Sequence, residues 1–318
     1  MTLLYSNPCF LDHKTGAHPE NPARLEAIVQ RLRETGVEQQ CQRPASPPAS
    51  LERIHRVHLP QYVEVIEEFA EEGGGHIEAD TVISRNSYKV ALRAAGAACD
   101  AVENVMGGND KNAVCLIRPP GHHSRKYHAM GFCLLNNVAI AARVATAEFD
   151  LDRVLIVDYD VHHGNGTQES FWEDGQIGFL SMHRWPFYPG TGAGDETGAG
   201  DGLGATVNLP VTFGKKPEEQ IKWFQDELTR LADKIQPQLV LLSAGFDTHR
   251  DDPVGSLGLD FEHIDQLTGI VLDVADAHAE GRVVSVLEGG YNPPDLARCV
   301  EGLCRSFLAR SESSAGAV

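Results

Sequence analysis

Several absences narrow the field before any motif is read. Nowhere in 318 residues is there a run of about 18 apolar residues, so no segment suits a membrane-spanning helix and no membrane partner is expected. The opening MTLLYSNPCFLDHKTG has no basic stretch leading into a long apolar one, so no secretory signal is expected. Seven cysteines, an odd number, are scattered without a CxxC pair, which fits a reducing cytoplasm, with Cys299 and Cys304 as packing residues. Positive charge is scarce: 27 Lys and Arg stand against 45 Asp and Glu, a net charge of −18. That balance argues against direct nucleic-acid binding. No proline-rich linker and no internal repeat divides the chain. The glycine-rich PGTGAGDETGAGDGLG has neither GxxxxGK[ST] nor a strand-to-helix setting, so it reads as an irregular rim loop and not a phosphate cradle.

What is present is ordinary in amount and telling in order. Hydrophobic residues make up 42% and charged residues 23%, the balance of a soluble globular enzyme. Apolar spacing predicts helices over 21–35, 60–72, 86–106, 136–148, 217–235, 260–280 and 295–308. Between them lie short β-branched runs at 113–117, 154–157, 177–182, 206–209, 239–243 and 283–287. Strands alternating with helices indicate a parallel sheet covered on both faces. One domain over residues 1–310 is expected, with 311–318 a frayed tail.

In open parallel sheets, ligands sit beyond the carboxyl ends of the strands. Four predicted strand exits carry polar or ionisable residues: Ile117 into RPPGHHS, Val157 into DYDVHHGNG, Ser243 into AGFDTHRDDP, and Leu287 into EGGY. Asp160 and His162 are two apart at a strand end, where side chains i and i+2 point the same way. Asp247 follows another exit and offers a third ligand. Two carboxylates and one neutral imidazole make an open site for a divalent ion. His122 and His123 follow Pro119-Pro120-Gly121, a turn that positions both rings. Amide hydrolysis needs a base to activate water and an acid to protonate the leaving amine, and a histidine can do both in sequence.

RPPGHHS, MGFCLLNNVAIAA, DYDVHHGNGT, AGFD and EGGY, in this order, resemble the zinc-dependent histone deacetylase family, which includes bacterial histone deacetylase-like amidohydrolases, acetylpolyamine amidohydrolases and acetoin-utilisation proteins. The likeness runs from HPENPARL near residue 18 to Tyr291. It implies the α/β arginase-deacetylase fold, with a central eight-stranded parallel sheet and helices on both faces. It also implies one catalytic zinc, with iron(II) as an alternative, on Asp160, His162 and Asp247. In the related arginases a D-x-H-x-D pattern holds a second metal. Here Gly164 stands where the second aspartate should be, and His249 follows Asp247 in place of another, so a mononuclear site is expected.

The resemblance further makes His123 the general base and acid and His122 its electrostatic support. It pairs His122 with Asp158 and His123 with Asn165, where class I members have aspartate. A neutral partner stabilises imidazolium less, so the His123 pKa should be lower. Tyr291, after Gly289-Gly290, can donate its phenol to the carbonyl oxygen as charge develops. Asp158, Asp160, His162, Ser181 and Met182 are the implied potassium site. Gly131 and Phe132 resemble one wall of the acyl-lysine channel, and Tyr188 takes the place of the usual phenylalanine on the other. Val254 stands where polyamine-selective relatives carry an acidic gatekeeper, although Asp251 and Asp252 lie beside it. Arg24 could contact an inner cavity or brace the core; His18 is read as a brace. The leading expectation is a deacylase of acyl-lysine in peptides or proteins. The alternatives are a deacylase of small acylated amines or acyl esters, and a weakly catalytic acyl-lysine binder. Oligomeric state is left open.

Overall fold

A computed structural model describes residues 1–315. Ten strands are present among them: β1 (Thr2–Tyr5), β2 (Cys41–Gln42), β3 (Gly74–Glu78), β4 (Thr81–Ser84), β5 (Asn112–Cys115), β6 (Val154–Asp158), β7 (Ile177–Trp185), β8 (Thr206–Thr212), β9 (Leu239–Ala244) and β10 (Val283–Leu287). The α-helices are α1 (Ala23–Glu34), α2 (Leu51–His55), α3 (Pro60–Glu71), α4 (Ser87–Met106), α5 (Asn137–Glu148), α6 (Asn165–Ser170), α7 (Pro217–Ile235), α8 (Phe261–His278) and α9 (Pro293–Ala315).

Eight strands form one sheet in the order β2-β1-β5-β10-β9-β6-β7-β8, and every pairing is parallel. The central strands VLIVD, LVLLSA and VVSVL are buried along their whole length. Such runs are apolar without alternation because helices cover both faces. Helices α1, α9, α8 and α7 pack side by side, and α4 packs on α5. The alanine-rich sequences of α4 and α5 let them approach closely, and most of their residues are buried.

All six expected strands and all seven expected helices are present, most with ends moved by a few residues. Helix α9 is longer than its expected 295–308 and includes residues 311–315, where the tail was expected to begin; residues 316–318 of that tail lie outside the described residues. Periodicity missed β1 and its neighbour β2, which lies at the sheet edge. They are four and two residues long, too short to show a period. It also missed the small antiparallel pair β3–β4.

The sheet order explains why the strand exits converge. β5, β10, β9 and β6 are consecutive neighbours, although they are far apart in sequence. Their ends are also level: Cys115 pairs with Val286, Leu287 with Ala244, and Asp158 with Ser243. The four polar exits therefore open side by side on one edge.

Candidate active site

Asp160, His162 and Asp247 meet at this edge with potential ligand atoms within 4.8 Å of one another. All three are buried. His162 Nδ1 lies 3.0 Å from Asp160 Oδ1 and 3.2 Å from Asp247 Oδ2. The remaining carboxylate oxygens are fixed by backbone: Gly289 N donates to Asp160 Oδ2 at 2.8 Å, and Val161 N to Asp247 Oδ1 at 3.1 Å. Gly289 has to be glycine, because a Cβ there would overlap both carboxylates. Asp247 Oδ2 is left buried without a hydrogen bond. Burial, then repulsion from Asp160, pushes the Asp247 carboxyl up to about 7. Burial opposes a charge on His162, but the two carboxylates raise its pKa to about 9. One imidazole nitrogen offers a single proton to two carboxylate oxygens. A divalent cation satisfies all three groups at once, so the donor set fits a metal.

The two adjacent histidines occupy opposite electrostatic settings. Their rings are 4.0 Å apart, and both are buried. His122 Nδ1 is 3.0 Å from Asp158 Oδ2. Burial disfavours its cation, but Asp158, Asp160 and Glu288 outweigh that and raise the pKa to about 10. His123 Nδ1 is 2.7 Å from Asn165 Oδ1. Burial, with repulsion from His122 and His162, holds it well below the usual imidazole range. The amide oxygen accepts from Nδ1–H, which leaves Nε2 of His123 free as a base. Gly131, at φ 56, lies so close to the His123 ring that a side chain would collide with it.

Tyr291 joins from the β10 exit. Its backbone N donates to Asp252 Oδ2 at 2.6 Å, and its ring meets the Phe132 ring edge-on at 5.6 Å. Burial, then the nearby Asp247 charge, raises its phenol well above the usual range, so the hydroxyl keeps its proton. Arg24 is a brace: it donates to the carbonyls of Gly290 and Glu288, each at 2.6 Å, with its guanidinium 5.0 Å from the Tyr291 ring. His18 is 3.1 Å from the Asp80 carbonyl and packs edge-on against Phe132 at 4.4 Å.

Of the channel residues, Tyr188 stands perpendicular to His123 at 5.3 Å and is 38% exposed. Its hydroxyl meets the Asp80 carboxylate, which also accepts from Gly131 N at 3.2 Å. Val254 is half-buried, and its N donates to Asp252 Oδ1, so the carboxylate that holds Tyr291 also holds this loop. Ser181 pairs in register with Asp158 across β6 and β7, and its neighbour Met182 is buried.

Sequence reasoning did not single out Asp80 or Glu288, and it read Asp252 only as an acidic neighbour of Val254, not as the group that holds Tyr291. Glu288 was visible inside EGGY. Its Oε2 accepts from Gly121 N and His122 N at 2.7 and 3.1 Å, which holds the turn before the histidines. Burial, only partly offset by His122, pushes it up to about 7. Asp80 lies in no motif. Two further ligand-like groups occur among the described residues: His122–Cys133–Glu288, which overlaps the adjacent histidine pair, and His249–Asp251–Asp295.

A parallel α/β sheet that brings a candidate metal-binding triad, two oppositely tuned histidines and a phenol to one edge fits an amide-hydrolysing enzyme. Residues 18–307 match the histone deacetylase domain, and the chain belongs to the histone deacetylase family. It is 38% identical over 286 residues to a probable deacetylase of Archaeoglobus fulgidus, covering 89% of this chain and 79% of that one. It is 34% identical to the histone deacetylase-like amidohydrolase of Pseudomonas aeruginosa (89% and 74% covered), and 40% identical to the human polyamine deacetylase HDAC10 (88% and 43% covered). The crystal structure of the HDA15 HD domain superposes with a TM-score of 0.92 at 34% identity, covering 98% of this chain and 90% of that one.

Proposed function

We propose that this enzyme is a zinc-dependent deacylase of acyl-lysine side chains in peptides or proteins, with Asp160, His162 and Asp247 as the ligands of a single ion. The supporting observation is the unpaired Asp247 Oδ2 beside a proton-poor cluster of carboxylates. Iron(II) suits the same donors. When bound, the ion supplies Lewis acidity to the substrate carbonyl and to the attacking water. His123, neutral at Nε2, takes the proton from that water and returns it to the departing amine. His122, kept cationic by Asp158, stabilises negative charge forming nearby, and Tyr291 donates its hydroxyl to the carbonyl oxygen. Phe132 and Tyr188 flank the acyl-lysine stem, with Gly131 giving room at His123 and Val254 at the rim. Asp158, Asp160, His162, Ser181 and Met182 hold a structural potassium ion. Residues 1–310 form the catalytic domain, working in the cytoplasm.

A second reading, deacylation of small acylated amines, is favoured by the likeness to a polyamine deacetylase and by Asp80 against Tyr188. Parallel turnover of an acetyl-lysine peptide and acetylspermidine, each with chelator and with zinc restored, tests both. Faster peptide cleavage that needs zinc supports the first. A large preference in kcat/KM for the polyamine replaces it with the second.

A further inference from the structure

Beside the catalytic edge lies a pocket whose charge is opposite to that of the molecule. It encloses about 350 Å³ between the end of β7, the β8–α7 loop and the loop after Val254. Its lining includes Arg184, Lys215 and Lys216 and no carboxylate, in a chain of net charge −18. The Arg184 guanidinium lies 4.5 Å from the Phe187 ring and 5.9 Å from the Phe213 ring, and Lys215 Nζ lies 3.9 Å from the Trp223 ring. These cations face aromatic rings although carboxylates are plentiful elsewhere on the protein. Phe213 is 92% exposed, an apolar platform at the pocket edge. Gln220 forms part of the wall and is almost wholly buried. Its Nε2 donates to the carbonyls of Lys215 and Leu257, which fixes the amide orientation and leaves Oε1 with no protein donor. Ser256, in the same wall, has φ 136, a strained conformation for a residue with a side chain. Phe187 stacks on the metal-ligand candidate His162 at 5.3 Å, so the pocket is one ring away from the catalytic centre.

We propose that this pocket is a substrate subsite for an acidic residue flanking the acyl-lysine of a peptide. This rests on the acyl-lysine reading above. A carboxylate fits the planar guanidinium fork and the two ammonium groups. The unpaired Gln220 acceptor calls for a hydrogen-bond donor, which a peptide backbone N–H supplies. The exposed phenylalanine suits the stem of a glutamate side chain.

The test uses the full-length, zinc-loaded protein and a set of acetyl-lysine peptides that carry Glu or Gln at one flanking position, moved from two to four residues on either side. At the matching position the Glu peptide should exceed its Gln twin in kcat/KM by about five- to tenfold, a ratio typical of a charge-assisted contact. K215Q/K216Q should erase that ratio and leave the Gln peptide unchanged, and K215E/K216E should reverse it toward a lysine-flanked peptide. Equal rates for Glu and Gln at every position, or a ratio that survives K215Q/K216Q, overturn the proposal. So does competition by millimolar inorganic phosphate without Glu–Gln discrimination, which would assign the pocket to a free oxyanion. Fluorescence anisotropy with a labelled, unacetylated Glu peptide reads the pocket without turnover. Binding that is lost in K215Q/K216Q, together with no deacetylation of any peptide, would uphold the pocket while removing the acyl-lysine reading.

Discussion

Two buried charge clusters lie on either side of the EGGY segment, and they are built on opposite terms. In the first, Glu20 sits between two guanidiniums. Arg118 engages both of its oxygens, and Arg24 Nη1 lies 3.1 Å from Oε1. The donors left over go to the carbonyls of Phe10, His13, Glu288 and Gly290. In the second, Asp160, Asp247 and His162 leave a carboxylate oxygen without a partner. The first cluster is closed within the chain and serves as architecture. The second is short of positive charge, which the proposed ion would supply. Arg24 grips the carbonyls of Glu288 and Gly290 while Gly289 N grips Asp160, so the self-sufficient cluster holds the incomplete one in place.

Breaking the open cluster should have the largest effect. D247N should lower turnover by a thousandfold or more, on the order expected for losing a metal ligand, and reduce bound zinc measured by atomic absorption. The metal-free variant should melt no lower than metal-free wild type, because one of two repelling buried charges is gone. A lower melting temperature would make the cluster structural and remove the contrast.

Breaking the closed cluster should act on stability instead. E20A should cost about 3 kcal/mol in denaturant unfolding, because it strands two buried guanidiniums. The sign with pH follows from Glu20. Burial alone would raise its pKa, but Arg118, with His13, holds it well below the usual carboxyl range. Its contribution is therefore complete above the unfolded pKa of about 4.5 and is lost as the pH falls toward the folded value. The gap between wild type and E20A should be constant near neutrality and narrow in acid. A gap that widens in acid would contradict this.

Two smaller effects sharpen the picture between the clusters. Y291F should lower kcat about a hundredfold with KM nearly unmoved, because the hydroxyl acts on charge that develops during reaction. Loss confined to KM would make Tyr291 a binding residue only. N165D should give the least change: a carboxylate partner raises the His123 pKa, so the acid limb of kcat/KM should move to higher pH. An unmoved limb would mean that another group limits the rate there.

The open cluster was largely legible in the sequence, and the closed one was not. Asp160, His162 and Asp247 stand just past strands whose apolar runs mark their ends, so position and donor type together made them candidate ligands. His122 and His123 were marked by a proline-glycine turn. Glu20, though it lies within HPENPARL, acquires meaning only from Arg118, 98 positions later. Asp80 and Asp252 likewise work through backbone N–H groups of remote loops, and no local pattern encodes such a partner. For the fold, long buried strands announced themselves, whereas β1 and β2 rely on pairing with neighbours. The level ends of β5, β10, β9 and β6 could not be read at all, since register is set by packing.

The last strand of the sheet to be synthesised, β10, sits in its middle, between β5 and β9. A nascent polypeptide of residues 1–282 already holds the histidine pair and every proposed ion ligand. It lacks the rib that seats one beside the other, and it lacks the phenol. Competence would therefore arrive as a single late event, when this rib slides into the gap, and a half-made enzyme would have no means of attacking an amide.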